Sequence, residues 1–455
     1  MDAWVTDELR YLDLGDPRRA RRLERIVSDL AAHPSASLSQ ASGDWAATKA
    51  AYRFFASNQI SPDAIRQAHA RRTLDRIQTF STVLAIQDTS ELDFTSHPHT
   101  SGLGHLDGRT RRGLKLHSAL GVSPDGIPLG LVAQTLWARD LATIGINRQR
   151  RQRPFEEKES LRWVTTLDAI SAALPGPTQV VVVTDCEGDM FELFAAPRPD
   201  HVELLIRGAY ERRVTEPAHY LWQSVHQTPV RGRMTVTVGR RPGQCEREAE
   251  VVLRWANVHI RPPHRAGGQQ GREAVEMVGL WVEEEEPPEG VEAVGWWLLT
   301  TLEVEEVEQA VQVVRWYSYR WLIERYHYVL KSGCRVEALQ LERAEGLEVA
   351  VATYSLVAWR LLWLTYRARV WPGEACTSVL EEDEWQALYC TIHKTREVPK
   401  EVPTLEEATR WVGRLGGHLG RRGDGPPGVK ALWQGLRRLE DIVATWRLLK
   451  GGSST

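Results

Sequence analysis

Cysteine is scarce in this chain of 455 residues, which contains only five. They are Cys186, Cys245, Cys334, Cys376 and Cys390. The number is odd, the positions are scattered, and no pair has a C-x-x-C spacing. This pattern disfavours both a disulfide framework and a zinc site. We therefore expect reduced thiols in a cytoplasmic protein.

Long apolar runs are also missing. The first residues, MDAWVTDELRYLD, are acidic and contain no apolar stretch, so we expect no secretory signal. The most apolar segment, residues 351–367, is shorter than a membrane span and is interrupted by Arg360. It predicts a buried helix.

Several catalytic motifs have no counterpart in the sequence. It contains no GK[ST] phosphate loop, no G-x-S-x-G elbow and no H-E-x-x-H pair, and the glycines of GLGHLDG are wrongly spaced for a dinucleotide. Three histidines, His97, His99 and His105, lie close together in the sequence. They fall in a loop of Pro, Gly and Ser without acidic or cysteine partners, so we do not expect them to bind a metal.

The chain lacks an excess of basic charge, since its formal net charge is −3. Its signs are separated along the sequence, however. Acidic runs lie at 283–286 and 303–308, and basic clusters lie at 18–22, 109–112, 148–153 and 421–423. Separated clusters can form a basic face on a neutral protein, although for most single clusters an ordinary solvated surface is the simpler interpretation.

The first 70 residues are predicted to be helical. Asp16 is a suitable N-cap before Pro17, and apolar residues recur at helical spacing until Pro34. A second helix is predicted in WAATKAAYRFFAS, and a third begins near Ser61. A small helical domain with an arginine-rich helix is compatible with DNA binding.

The pattern changes to strands from about residue 80. Residues 113–138 alternate like two antiparallel strands joined by a turn at 123–126, and a helix is predicted near 156–174. The four valines at 180–183 indicate a strand buried on both faces, as in the centre of a parallel sheet. Residues from about 205 to 300 are rich in strand patterns, and the chain beyond residue 370 is helical and ends in an amphipathic helix.

Two aspartates, Asp88 and Asp185, are each predicted at the end of an apolar strand. Adjacent strand ends bring distant residues together at the binding edge of an α/β sheet. With a third carboxylate from a helix they would form an all-oxygen site suited to Mg²⁺ or Mn²⁺. Two such ions about 4 Å apart support phosphoryl transfer. The simpler interpretation is that both aspartates only cap turns.

The segment RWYSYRWLIERYHYVLKSG, residues 315–333, predicts a helix with an unusual polar stripe. At 100° per residue, Arg320, Glu324 and Lys331 fall within about 60° of Tyr317. Apolar residues occupy the opposite side: Leu322, Ile323, Tyr326, Val329 and Leu330. An ordinary solvated face is one interpretation. A site for a metal and a phosphodiester is the other, with Glu324 completing the carboxylates while Arg320 and Lys331 hold phosphate.

The spacing Y-x-x-R-x-x-x-E-x-x-x-x-x-x-K resembles the signature of DDE transposases of the insertion-sequence-four type, the group that includes the Tn5 enzyme. Here it falls on Tyr317, Arg320, Glu324 and Lys331. The segments AIQDTS, VTDCEGD, LGDPRRARRL and AAYRFFAS are also similar to that family. The similarity runs from about residue 4 to 370 and is weaker beyond.

The resemblance implies an α/β fold. It comprises an RNase H-like catalytic core at 71–370 with a β-rich insertion near 205–300, an N-terminal helical DNA-binding domain at 1–70, and a C-terminal helical region at 371–455 that supports dimerisation. It also implies that two Mg²⁺ or Mn²⁺ ions are bound by Asp88, Asp185 and Glu324, the catalytic triad.

The resemblance assigns DNA contacts as well. Trp296, with Trp297 as a nearby alternative, would stack on a flipped base, and Arg207 would contact phosphate together with Tyr317, Arg320 and Lys331. Within the N-terminal segment the matching arginines are Arg18, Arg19 and Arg22. The implied partners are transposon ends, target DNA and a second copy of the chain, in a bacterial cytoplasm at the nucleoid and away from membranes.

The implied reaction is cut-and-paste transposition through a DNA hairpin. Two alternatives share parts of this pattern. A metal-dependent nuclease on an RNase H-like fold, without strand transfer, needs the carboxylates but neither Trp296 nor the polar stripe. A non-enzymatic DNA-binding descendant of a transposase would tend to have lost one of the carboxylates, and this sequence retains all three.

Overall fold

The structure is a computed structural model that describes residues 3–107, 110–143, 153–174, 176–238, 247–263, 273–421 and 424–451. Some residues named above lie outside these ranges: Cys245, most of the basic cluster at 148–153, and parts of the basic clusters at 109–112 and 421–423. The chain packs as two compact units. The first unit contains residues 1–76, 89–146 and 324–455, and the second contains residues 77–88 and 147–323.

Helices dominate both ends of the chain, as predicted. They are α1 Ala3–Glu8, α2 Pro17–Ala32, α3 Leu38–Ser42, α4 Trp45–Phe55, α5 Pro62–Ile77, α6 Leu161–Ala173, α7 Phe191–Phe194, α8 Leu221–His226, α9 Val307–Ser318, α10 Trp321–Tyr328, α11 Ala344–Val370, α12 Glu382–His393, α13 Leu405–Leu415 and α14 Val429–Gly451.

The strands fill the middle of the chain. They are β1 Thr82–Asp93, β2 Gly104–His105, β3 Arg112–Val122, β4 Pro128–Trp137, β5 Gln179–Thr184, β6 Val202–Arg207, β7 Gly232–Val238, β8 Arg247–Ile260, β9 Val275–Glu283 and β10 Gly295–Thr300. The predicted β-rich region therefore consists mainly of β7 to β10.

Capping chemistry fixes the arginine-rich helix α2 where the sequence predicts it. The Asp16 carboxylate accepts the backbone N–H of Arg18 at 2.8 Å, and Pro17 begins the helix. The apolar side chains of α2 recur at helical spacing and are buried: Leu23, Ile26, Val27 and Leu30. The helix ends at Ala32, two residues before Pro34.

The second unit contains a mixed sheet in the order β1-β5-β6-β10-β9-β8-β7. β5 pairs in parallel with β1 and with β6, and the remaining neighbours are antiparallel. The valines at 180–183 are fully buried in β5, so the predicted central parallel strand is confirmed. β1 continues beyond Asp88 into the first unit, where β3 is its neighbour.

The first unit contains the predicted hairpin of β3 and β4, which pair antiparallel across the turn at 123–126. It also contains α11, which among the described residues is the helix long and apolar enough to cross a membrane. Of its most apolar 18-residue window, 89% is buried. The predicted buried helix is therefore confirmed, and α11 is a core helix.

The C-terminal helices α12, α13 and α14 share a core of their own within the first unit. Its members include Leu388, Trp411, Leu432, Leu439 and Val443. The predicted final amphipathic helix corresponds to α14.

A buried ionic cluster joins α1, α5 and β4 in the first unit. The Glu8 carboxylate lies 2.5 Å from His69 Nδ1 and 2.8 Å from an Arg76 guanidinium nitrogen. His69 Nε2 accepts the backbone N–H of Leu131 at 2.9 Å, so the ring carries its proton on Nδ1 and donates it to Glu8. Burial alone would raise the pKa of Glu8, but His69 and Arg76 lower it from 4.5 to about 2.

A carboxylate whose pKa is depressed on folding stabilises the native state above its unfolded pKa. That stabilisation is lost as the pH falls from 4.5 through about 2. We expect Glu8→Gln to lower the free energy of unfolding at neutral pH by about 3 kcal/mol. The exposed Glu401→Gln is the control. Denaturant unfolding measured between pH 7 and pH 2 should show that the free energy of unfolding of Glu8→Gln falls less with acid than that of the wild type or Glu401→Gln. An equal fall in all three proteins would contradict the depressed pKa of Glu8.

Candidate active site

Two aspartates stand side by side in the second unit because β1 and β5 are paired in parallel. The paired residues run from Thr82 opposite Gln179 to Ile86 opposite Val183. The same pairing, continued by two residues beyond Ile86 and Val183, places Asp88 opposite Asp185. Neighbouring strands lie about 4.8 Å apart. The predicted adjacency of the two strands is confirmed: Asp88 lies in β1, and Asp185 directly follows β5.

The prediction that Asp88 lies at the end of its strand is wrong, because β1 continues to Asp93. What ends at this level is the neighbour β5, whose last residue is Thr184. β1 keeps extended geometry since β3 remains beside it. Asp88 therefore occupies the point where one neighbour of its strand stops.

Asp185 is held by its own loop. It is the N-cap of a 3₁₀ turn, Cys186–Gly188, and its Oδ1 accepts the backbone N–H of Glu187 at 2.8 Å. Oδ2 accepts no hydrogen bond from the residues that the structure describes. Two adjacent carboxylates repel each other unless a cation is shared, and oxygen donors of this kind suit Mg²⁺ or Mn²⁺.

A group of three or more metal-ligating side chains does not occur among the described residues. Of the three predicted carboxylates, the structure aligns two, those of Asp88 and Asp185. Glu324 lies in the first turn of α10 and belongs to the first unit.

Tyr317 lies against two arginines in the second unit. Its side chain is buried, and its hydroxyl interacts electrostatically with the guanidinium groups of Arg207 and Arg320. Burial raises the pKa of the Tyr317 phenol despite both guanidinium groups, so the hydroxyl stays protonated at neutral pH. Burial likewise lowers the pKa of Arg207. The three side chains form a cationic cluster with a phenolic donor, which suits a phosphate oxygen.

Arg207 also fixes the start of β10. A guanidinium nitrogen donates to the Gly295 carbonyl at 2.6 Å. The next residue, Trp296, places its ring edge-to-face with Tyr317 at a centroid distance of 5.5 Å. The structure therefore brings Trp296, Tyr317, Arg207 and Arg320 together, as the sequence predicts.

Trp297 points to the opposite face of β10, because successive strand residues alternate. Its ring stacks on Trp281 at 4.4 Å and on Trp222 at 5.3 Å. Trp297 thus packs against two other tryptophans, while Trp296 lies beside the cationic cluster.

The predicted single helix over residues 315–333 is wrong in its geometry. α9 ends at Ser318, and α10 begins at Trp321 after a tight turn in which the Arg320 N–H donates to the Tyr317 carbonyl at 3.0 Å. Residues Val329–Gly333 then form a π-helical turn. An angle of 100° per residue does not hold across such a turn, so the stripe is not one straight face.

The apolar side of this segment follows the prediction more closely. Leu322, Ile323, Tyr326, Val329 and Leu330 are all buried. Lys331 lies in the π-helical turn of the first unit, where its ammonium donates to the Glu91 carbonyl at 2.8 Å and pairs with Glu337 at 3.4 Å.

Sequence reasoning missed the role of Asp189. Its side chain is fully buried, and one oxygen accepts the backbone N–H groups of Ala209 and Tyr210 at 2.7 and 3.0 Å. The other oxygen accepts Arg212 Nε at 2.9 Å. Asp189 therefore ties the Asp185 loop to the segment after β6. Only the repeated aspartate in VTDCEGD hinted at it.

The N-terminal arginines of the prediction differ in their surroundings. Arg18 is exposed and pairs with Asp16 at 3.1 Å. Arg19 donates to the Leu14 carbonyl at 3.0 Å and also binds Gln59. Arg22 is partly exposed.

Helix α4 carries a surface that the sequence analysis did not single out. Trp45 is 74% exposed, and Lys49 lies 4.6 Å from its ring centroid. Tyr52 and Arg53 continue the exposed face. The spacing of these four residues, at i, i+4, i+7 and i+8, places them on one side of a helix and could have revealed this surface in the sequence.

Three family models match the chain. Residues 1–60 match the model described as transposase DNA-binding, residues 145–360 match transposase DDE domain, and residues 356–455 match transposase Tn5 dimerisation domain. The second match contains Asp185 and Glu324 and begins after Asp88. It implies an RNase H-like core, so the fold class predicted from the sequence is confirmed. The third match extends the similarity to the C-terminal helices.

Proposed function

The chain belongs to the DDE transposases and is similar to the Tn5 enzyme, and from this premise we propose that it moves a DNA element by cut-and-paste transposition through a hairpin. The family makes the chain a metal-dependent DNA endonuclease and transposase. DNA and a second copy of the chain are its partners. The alignment of Asp88 with Asp185 is the observation that carries the proposal about the reaction.

Asp88, Asp185 and Glu324 are the proposed carboxylates for two divalent ions, Mg²⁺ or Mn²⁺. The aligned aspartates of the second unit support the first two assignments, and the sequence spacing from Tyr317 and Arg320 supports the third. When bound, such ions lower the pKa of a water molecule and stabilise the oxygen that leaves the phosphorus.

Tyr317, Arg320 and Arg207 hold the phosphate beside the cleaved bond in this proposal. The protonated Tyr317 hydroxyl donates a hydrogen bond, and the two guanidinium groups offset the charge that develops on phosphate oxygens. Lys331 supplies a further phosphate contact, on the strength of the sequence signature. For DNA to reach Lys331, the ammonium has to exchange its bonds to Glu91 and Glu337.

The reaction is a series of in-line displacements at phosphorus. Water first cleaves one strand at the element's end, which leaves a 3′-OH. That hydroxyl attacks the opposite strand to form a hairpin and release the flanking DNA, water reopens the hairpin, and the same 3′-OH attacks target DNA. A hairpin bends too tightly for every base to stay stacked, and the Trp296 ring offers a flipped base a new stacking surface.

In this proposal the chain has three functional segments. Residues 1–70 bind DNA, residues 71–370 form the catalytic domain with β7 to β10 as its insertion, and residues 371–455 support dimerisation. Arg18, Arg19 and Arg22 contact DNA in the first segment, together with the exposed face of α4. The chain acts at the bacterial nucleoid, in a synaptic dimer that holds two transposon ends. The dimerisation match favours this function over a nuclease without strand transfer, which needs no pairing of ends.

Replacement of each proposed carboxylate should abolish cleavage but leave DNA binding intact. We expect Asp88→Asn, Asp185→Asn and Glu324→Gln to lower the rate of strand cleavage at least about a thousandfold. Affinity for end DNA in EDTA should be unchanged or higher, because each substitution removes a charge that repels phosphate.

Denaturing gels of end DNA incubated with Mg²⁺ or Mn²⁺ measure the cleavage, and the exposed Asp200→Asn is the control in the second unit. Full activity in any one of the three variants would remove that residue from the proposed set. Cleavage that needs no divalent ion would refute the metal assignment.

The proposed stacking by Trp296 predicts an effect on one step. We expect Trp296→Ala to slow hairpin formation about tenfold or more while first-strand nicking stays within about twofold, since the loss of a stacked base costs roughly 1–3 kcal/mol. Trp296→Phe keeps an aromatic face and should retain most of the hairpin step. Single-turnover time courses resolve nicked and hairpin products, and an equal loss of both steps in Trp296→Ala would show that Trp296 does not act in base flipping.

A further inference from the structure

The loop after β6 forms a small ladder of three extended segments in the second unit. Arg213 pairs antiparallel with Tyr220, and Val214 pairs antiparallel with Ile260 at the end of β8. The Arg261 N–H donates to the Arg213 carbonyl at 2.9 Å, and the Thr215 N–H donates to the His259 carbonyl at 3.1 Å. This pairing sets Arg213 directly between Tyr220 and Arg261.

The alternation of side chains turns both arginines to the surface. Val214 and Ile260 are buried, at 1% and 0% exposure. Because neighbouring residues of an extended chain point to opposite faces, Arg213 and Arg261 share the solvent face. Tyr220, opposite Arg213, is 41% exposed.

Neither guanidinium group has a partner within the part of the chain that the structure describes. The two acidic residues closest in sequence are engaged elsewhere. Glu216 accepts both the backbone N–H and the imidazole of His259 at 2.9 Å, and Glu211 accepts the Trp222 N–H at 3.0 Å.

Like charges placed directly opposite each other on a ladder are destabilising. Side chains on such pairs start about 5 Å apart, so both guanidinium groups can reach one anion. A surface without a ligand gains nothing from this arrangement, whereas an anion between the two arginines converts repulsion into attraction. Arginine forks match phosphate geometry in particular.

We propose that Arg213 and Arg261 form a phosphate-binding site for the DNA backbone, with the Tyr220 hydroxyl as an additional donor. The site is separate from the cationic cluster around Tyr317, and the proposal rests on the chain's binding of DNA and not on its cleavage chemistry. Phosphate contacts of this kind position a duplex and make its affinity sensitive to salt. The DNA is either an end of the element or a target duplex, which share this backbone.

The test is equilibrium binding in EDTA, so it is independent of the metal-dependent reaction. The probes are two labelled duplexes of about 40 base pairs, one with the element's terminal sequence and one of unrelated sequence, titrated between about 50 and 200 mM salt. The proteins are the wild type, the double variant Arg213→Gln/Arg261→Gln, the double variant Arg213→Lys/Arg261→Lys, and Arg233→Gln. Arg233 is an exposed arginine of the same unit that is already paired with Glu285.

We expect the glutamine double variant to bind at least one duplex about fivefold to tenfold more weakly, with a salt slope smaller by about 1 to 2. Its unfolding temperature should be unchanged or higher, because a repulsive pair has been removed. The lysine variant should retain most of the affinity, and Arg233→Gln should bind like the wild type. Weakening for the terminal duplex alone assigns the site to element DNA, and weakening for both duplexes assigns it to backbone contacts that any DNA can make, including target DNA.

Wild-type affinity and salt slope in the glutamine variant, for both duplexes, would overturn the proposal. An equal loss of affinity in Arg233→Gln would do the same, since it would show a diffuse charge effect. A lower unfolding temperature of the glutamine variant would contradict the premise that the two arginines repel each other.

Discussion

The parallel pairing of β1 with β5 is the constraint on which the proposed chemistry depends. The offset of the ladder, fixed by five paired positions before the aspartates, sets Asp88 beside Asp185. A slip of one residue would turn one carboxylate to the other face of the sheet. The four fully buried valines of β5 hold this strand in the middle of the sheet, with both of its faces covered. A hydrophobic strand thus fixes the position of two polar groups that would repel each other in isolation.

The remaining parts of the site in the second unit attach to the same edge of the sheet. β6 pairs with β5 and ends in Arg207, which holds the first residue of β10 and contacts Tyr317. Buried Asp189 ties the loop after β5 to the segment after β6. Arg207 and Trp296 are therefore positioned by β6 and β10 of the same sheet, and Tyr317 of α9 lies against both side chains. The same segment then continues into the ladder that sets Arg213 opposite Arg261.

Much of this was accessible from the sequence, for identifiable reasons. The valine run predicts a central strand because burial on both faces leaves no alternation, and the Asp16-Pro17 pair predicts the start of α2 because capping is local. The break between α9 and α10 and the π-helical turn after α10 were missed, since both keep helical composition while changing the angle per residue. The position of Asp88 within β1 was missed because strand length depends on which neighbours continue. Asp189 and the Arg213–Arg261 pair depend on contacts between distant segments, which no local pattern encodes.

The most direct test of the central claim, that Asp88 and Asp185 together hold divalent ions, replaces Mg²⁺ with Fe²⁺ in the DNA-bound protein. Ascorbate and peroxide then generate radicals at the bound iron, which cut the nearby polypeptide. End-labelled fragments should include cuts next to Asp88 in β1 and next to Asp185 after β5, and excess Mg²⁺ should suppress both. Cuts at only one of these positions, or at neither while iron is bound elsewhere, would contradict a site shared by the two aspartates.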